Sequence, residues 1–198
     1  MSAFLFRAAL LGSALALAGC AAQAPETRVT RFHLGQPIAR GEIAVEPRDP
    51  AAAKDLEYQT YARAVAGELA RQGFTLAPGV AKSELVAVVD ASRGTRAMYQ
   101  ERSPFSVGIG GGSFGGNVGV GGGVSFPIGK GKTREIIGTE LAVQIKRRSD
   151  GTVIWEGRAM SEARSGTPYA EPAAAAAKLA SALFQGFPGE SGRTITVR

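Results

Sequence analysis

Apolar residues recur along this chain in two periods, and the switches between them outline the elements. From Arg28 to Leu34, Val29, Phe32 and Leu34 stand among Thr and Arg, which predicts a first strand. Ile43-Ala44-Val45 predicts a second short strand, ended by Pro47. Asp49-Pro50 reads as a helix cap followed by Pro in the first turn. Tyr58, Tyr61, Ala62, Val65 and Leu69 then repeat at three- and four-residue spacing, predicting a helix over Lys54 to Gln72 that starts as early as Pro50, with Gly73 as its left-handed stop.

Period two returns afterwards. Phe74 and Leu76 precede a buried strand at Glu84 to Ser92, carrying Leu85, Val86, Val88 and Val89. In Glu135 to Arg147, Ile137, Leu141, Val143 and Ile145 share one parity. Ser149-Asp150-Gly151-Thr152 is a turn signal, and Val153 to Ala163 is its returning strand, with Ile154, Trp155 and Met160. Pro172 opens a second helix through Gln185, whose face is Leu179 and Leu183. Gly186, Pro188 and Gly189 end it, and Ile195 and Val197 form a last edge strand. The expected fold is α+β: a mostly antiparallel sheet, two helices packed on one face, and a Gly-rich insertion at 103–131.

That insertion has its own pattern. Ser103 to Gly129 holds no charged residue, and half of the positions from Gly108 to Gly131 are glycine. Val118, Val120, Val124, Phe126 and Ile128 share a parity, and Val107 and Ile109 begin a weaker copy, with Gly115-Gly116-Asn117 as the intervening turn. A Gly-rich loop is the leading reading. A partner-binding or edge-pairing hairpin and a membrane-inserting hairpin stay open, since so many glycines weaken any isolated strand.

The N-terminus changes the picture most. Arg7 precedes an apolar run from Ala8 to Ala18, too short for a membrane-spanning helix, which needs about 20 residues. The run closes on Leu17-Ala18-Gly19-Cys20. This stretch resembles the lipobox of bacterial lipoproteins, which implies cleavage between Gly19 and Cys20 and acylation of Cys20. The expected organisation is a signal peptide at 1–19, a lipidated tether at 20–27 and one α+β domain at 28–198. By resemblance to lipoprotein sorting in enteric bacteria, Ala21, not being Asp, implies the outer membrane, with the domain facing the periplasm. The membrane lipid is then a partner through acylated Cys20.

The formal charge of +6 fits attraction to anionic head groups. No aromatic-interleaved basic stripe accompanies it, and an exported protein does not meet chromosomal DNA, so no nucleic-acid partner is expected. Cys20 is the only cysteine, so acylation leaves no thiol for a disulfide.

Candidate chemistry is sparse. Gly131-Lys132-Thr133 resembles the end of a phosphate-binding loop, but Phe126 stands where its first glycine belongs. Gly110 to Gly115 matches a dinucleotide pattern as any Gly-rich run does, and neither lies between a strand and a helix. His33, the single histidine, reads as structural, since one His without thiols is poor metal ligation. Lys146-Arg147-Arg148 reads as a solvated strand end, and Trp155, Tyr58 and Tyr61 as packing. No catalytic residue, cofactor or metal is expected.

The order of these features resembles the small bacterial lipoproteins of domain-of-unknown-function family four-one-three-six. The resemblance rests on "LVAVVD", on "GTELAVQIKRRSDGTVIWEG" and on the closing "GFPG", and it implies an envelope location and a compact α/β domain. The leading expectation for function is a non-enzymatic module that binds an envelope protein or polymer. An envelope hydrolase, which would show a cleft gathering several carboxylates, and an oligomeric membrane scaffold are the alternatives.

Overall fold

The computed structural model describes residues 24–78, 83–100, 106–109, 124–127 and 133–198, with backbone alone for 96–100, 106–109, 124–127, 133 and 134. In chain order the strands are β1 Thr27–His33, β2 Glu42–Pro47, β3 Thr75–Leu76, β4 Leu85–Gln100, β5 Ser106–Ile109, β6 Val124–Pro127, β7 Thr133–Arg147, β8 Val153–Arg164 and β9 Thr194–Val197. The helices are α1 Leu56–Arg71 and α2 Pro172–Phe184. Seven strands form one sheet in the order β3-β2-β4-β7-β8-β1-β9, and β5 pairs with β6 separately.

The sheet is mixed, which corrects the expectation of a mostly antiparallel one. β2 runs parallel to both β3 and β4, while β4-β7-β8-β1-β9 pair antiparallel. The reason is the connection. The Asp150-Gly151 turn sends the chain straight back, whereas α1 carries it across the sheet to re-enter from the same end.

Local chemistry sets the helix ends. Asp49 caps a 3-10 turn at Pro50–Lys54, and Asp55 then caps α1 by accepting from the Glu57 N–H at 3.0 Å. The α-helix therefore starts at Leu56, later than the Lys54 or Pro50 expected, because Asp55 is extended (ψ 127°) and breaks the run. At the other end Gly73 has φ +89°, and the N–H groups of Gly73 and Phe74 return to Ala70 and Leu69. That closes the left-handed stop the glycine predicts.

Both helices cover one face of the sheet. Odd positions supply that core: Ile43 on β2, Ala87 and Val89 on β4, Leu141, Val143 and Ile145 on β7, Trp155 and Ala159 on β8. Tyr61, Val65 and Leu69 of α1 and Leu179 and Leu183 of α2 close it from above. Each such Leu or Val contributes about 1.5–3 kcal/mol by leaving water. Buried Ala175, Ala176 and Ala180 let the α2 backbone lie close.

A lock of aromatic rings ends the domain. Trp155, 0% exposed, stacks on Phe184 with centroids 5.4 Å apart, lies 5.1 Å from Phe187, and donates its indole N–H to Pro188 O at 3.0 Å. Packing is this tight because Gly157 has no side chain: a Cβ there would sit 2.4 Å from Trp155 Cη2 and 2.8 Å from Leu183 Cδ1. Arg40 lies over Phe74 and Phe187, its guanidinium carbon about 5 Å from each ring.

Two strands differ from expectation at their ends. β4 continues past Ser92 to Gln100, although Arg93 and Thr95 break the apolar run, because its ladder with β7 continues to Thr133. In the Gly-rich stretch, β5 and β6 pair antiparallel, with Val107 opposite Phe126 and Ile109 opposite Val124. At those positions the chain is extended, as in the hairpin readings, where a loop was the leading one. Residues 110–123, including the turn expected at Gly115-Gly116-Asn117, lie outside the described residues.

A candidate binding cleft on the open face of the sheet

No helix among the described residues covers the even face of the sheet, and its side chains are mostly polar. Arg158 joins Glu140 and Glu156, each at 3.4 Å, and Gln144 donates to Glu156 at 3.2 Å. At one end this face sinks into a cleft of about 650 Å³, a size that suits a small ligand or one segment of a polymer.

Register explains the hollow. Gly94 of β4 lies directly opposite Gly138 of β7, so two adjacent strands present no side chain at one place. A Cβ at Gly94 would meet nothing within 4 Å. The neighbouring row crosses four strands as Ser92, Glu140, Met160 and Arg28 and forms one wall. Glu162 and Glu26 complete the lining, Glu26 belonging to the segment that leads into β1. Carboxylate acceptors, a guanidinium donor and the adaptable Met160 thioether thus surround a backbone floor. Glu140 is held by Arg158, and Glu26 by Arg198 at 2.9 Å.

Behind the floor a second polar row crosses the sheet: Arg93, Thr139, Ser161 and Thr27 stand opposite one another on successive strands. They end the hydrophobic core. Arg93 bonds Ala170 O and lies 3.6 Å from Glu57. Above them burial pushes the Tyr61 hydroxyl up to about 12, against the lowering effect of Arg93. That hydroxyl lies beside Thr139 without closing a full hydrogen bond.

The residues singled out by sequence fall elsewhere. Gly19 and Cys20 lie outside the described residues, as do Gly110 to Gly115, Gly131 and Lys132. His33 is a strut: Nδ1 accepts from Gly35 N and Nε2 faces Gly189 O, both at 3.1 Å, which fits a neutral ring protonated on Nε2. Trp155 and Tyr61 are core, and Tyr58 is partly buried beside it. Arg148 is tied to Glu46 at 2.5 Å and to Ser83 O at 3.0 Å, while Lys146 is half-buried and Arg147 exposed. Among the described residues no group of His, Cys, Asp and Glu is arranged to hold a metal ion.

Sequence reasoning did not assemble the cleft. The one signal available was a pair of glycines inside strands, at Gly94 and Gly138, which marks a place where something approaches the backbone. Their register is not written in either segment alone.

Among known proteins, the chain is similar to an uncharacterized protein of Zymomonas mobilis subsp. mobilis, ZMO1243, with 33% identity over 210 residues, covering 86% of this chain and 79% of that one. Among solved structures it is similar to a PDZ domain protein from Parabacteroides distasonis, with 15% identity and a TM-score of 0.49. That match covers 94% of this chain and 42% of the other, so the chain spans less than half of that protein. It is also similar to a PelC dodecamer from Paraburkholderia phytofirmans, with 14% identity and a TM-score of 0.41, covering 79% and 93%. Residues 30–189, from β1 through the Phe187-Pro188-Gly189 ending, match the family model described as Domain of unknown function (DUF4136), and the chain belongs to that family.

Proposed function

We infer that this protein is a lipid-anchored lipoprotein of the bacterial cell envelope, held at the periplasmic face of the outer membrane through acylated Cys20. It is a binding module rather than an enzyme, and its open sheet face engages an envelope protein or polymer. The observation that carries the binding reading is the cleft: paired glycines expose backbone between a wall of charged and polar side chains. The anchor reading rests on the Leu17-Ala18-Gly19-Cys20 stretch. Among the described residues no helix is long and apolar enough to cross a membrane.

The cleft also favours a second reading. It gathers Glu26, Glu140 and Glu162, as an envelope hydrolase would require. Acid–base pairs of that kind depend on one carboxyl being kept from water and free of a cation; Glu26 and Glu162 are both exposed, and half-buried Glu140 is paired with Arg158 at 3.4 Å. Binding is therefore the better account.

A photo-crosslinker placed at Met160 in intact cells tests it, with Ala177 on the exposed side of α2 as control. Adducts from position 160 that are missing from position 177 are expected. Equal patterns would sink the cleft as the binding surface. Release of soluble fragments from purified cell wall, abolished by Glu140→Gln, would replace the module with the hydrolase.

Cys20→Ser is expected to abolish lipidation and leave precursor unprocessed, because the thiol accepts the diacylglycerol before the leader is cut. Cells fed an alkyne fatty acid report this directly, and equal labelling of the variant would remove the anchor.

A further inference from the structure

The charged side chains that line the cleft are not equally provided for. Glu26 is held by Arg198 and Glu140 by Arg158, Arg93 turns to Glu57 and Ala170 O, and Glu162 also has a partner. Arg28 is the exception. It is exposed at the β1 end of the wall, and no hydrogen bond or ion pair joins it to the described residues. Its cross-strand neighbours are Met160 on β8 and Thr196 on β9, neither of which carries charge.

A guanidinium presents a planar fork of donors that matches a carboxylate two bonds at a time. An anion seated there meets little opposition from the nearby acids, because Arg198 and Arg158 already offset Glu26 and Glu140. Both of those ion pairs are made at Oε1. A carboxylate accepts at two oxygens, so each acid keeps capacity for a further N–H donor. The wall thus offers one cation for a carboxylate and acceptors for amide N–H groups.

Dimensions and floor narrow the class of ligand. From Arg28 to Ser92 the wall crosses three strand spacings, roughly 14 Å, which is the length of about four extended residues. Gly94 opposite Gly138 leaves room for small side chains against the backbone. Sugar rings pack on aromatic faces, and among the described residues no aromatic side chain lines the cleft.

We propose that the cleft binds a short peptide with a free carboxylate, and that Arg28 holds that carboxylate. This specifies the ligand of the binding cleft described above and rests on that reading.

Every strand, helix and core residue described above lies within Thr27 to Val197, so the domain from residue 24 onward carries the whole fold without the first 23 residues. This domain is to be titrated, with NMR shifts as the readout, against N-acetyl-tetraalanine with a free C-terminal carboxylate and against the same peptide as its C-terminal amide. A third arm is tetragalacturonate, whose carboxylates stand on sugar rings. The peptide acid is expected to bind about tenfold or more tightly than the amide, as a charge-assisted pair contributes. Arg28→Gln should erase that preference and Arg28→Lys should keep part of it. Melting temperatures should be unchanged in both variants, because the Arg28 side chain is exposed and has no partner among the described residues.

Equal affinity for acid and amide overturns the proposal, as does a preference that survives in Arg28→Gln. So does the absence of shifts at cleft residues with the peptide acid. Tighter binding of tetragalacturonate than of the peptide acid overturns the peptide class. The two readings fail separately. Adducts from position 160 in cells without the acid preference keep the cleft and remove its peptide ligand. The acid preference without those adducts keeps Arg28 as a carboxylate site and removes the envelope partner.

Discussion

Leu141→Asp is expected to unfold the domain at ordinary temperature. Leu141 is 0% exposed on β7, paired with Ala91 on one side and Ala159 on the other, beneath both helices. A carboxylate there has no partner, and burying it uncompensated costs several kcal/mol beyond the lost packing. Domains of this size are stable by only about 5–15 kcal/mol, so one such change removes most of the margin. Leu179→Asp makes the same test from the helix side, since Leu179 of α2 is also 0% exposed. Leu56→Asp is the control: Leu56 is 76% exposed at the first position of α1, where an acid is tolerated. Thermal melts of the domain from residue 24 decide it. Near-unchanged midpoints for Leu141→Asp and Leu179→Asp would mean that the two faces of the sheet are assigned wrongly.

Arg31→Met should lower stability by about 3 kcal/mol or more although it removes no core hydrophobe. Arg31 lies on β1, 5% exposed, and its guanidinium closes the C-terminal end of α2. Nε donates to Leu183 O, and Nη2 to Ala182 O and Gln185 O, each at 2.9 Å. Helices end with carbonyls that have no partner in the next turn, and a cation there also meets the negative end of the dipole. Burial lowers the Arg31 pKa, but a guanidinium remains charged at any pH the cell meets. Methionine fills a similar volume and leaves those carbonyls unanswered, at about 1–3 kcal/mol for each buried group left unpaired. Arg31→Lys should recover part of the loss, because a single ammonium cannot reach all three oxygens. Urea titration of the three proteins measures this. A midpoint for Arg31→Met equal to that of the parent would show that water satisfies the α2 end unaided.

The same residue shows why the closing "GFPG" stretch is structural. Gly189 has φ +82°, and a Cβ there would lie 2.5 Å from Arg31 Nη1. Pro188 O accepts from Trp155, Gly189 O faces His33, and Phe187 packs among Phe184, Phe74 and Trp155. The residues that make the family resemblance most specific therefore hold β1, β8 and the end of α2 together. The cleft draws on Gly94, Gly138, Glu140 and Met160, and of these Gly138 and Glu140 belong to the quoted hairpin.

What the sequence determined by itself was local. Period-two and helical spacing located β1, β2, β7, β8, α1 and α2, since amphipathic segments must turn their apolar side to a core wherever that core lies. Asp-Gly at 150–151 and Gly73 marked a turn and a stop through backbone conformations that glycine adopts without strain. Three features needed the tertiary structure. The parallel pairing of β2 follows from where α1 returns the chain, which no strand records in its own residues. The length of β4 beyond Ser92 is held by a ladder to β7, so burial leaves no periodic mark on it. The cleft arises where residues from β1, β4, β7 and β8 fall into adjacent rows. Register between strands distant in sequence is a property of the assembled sheet, because pairing and burial are shared by all its members at once.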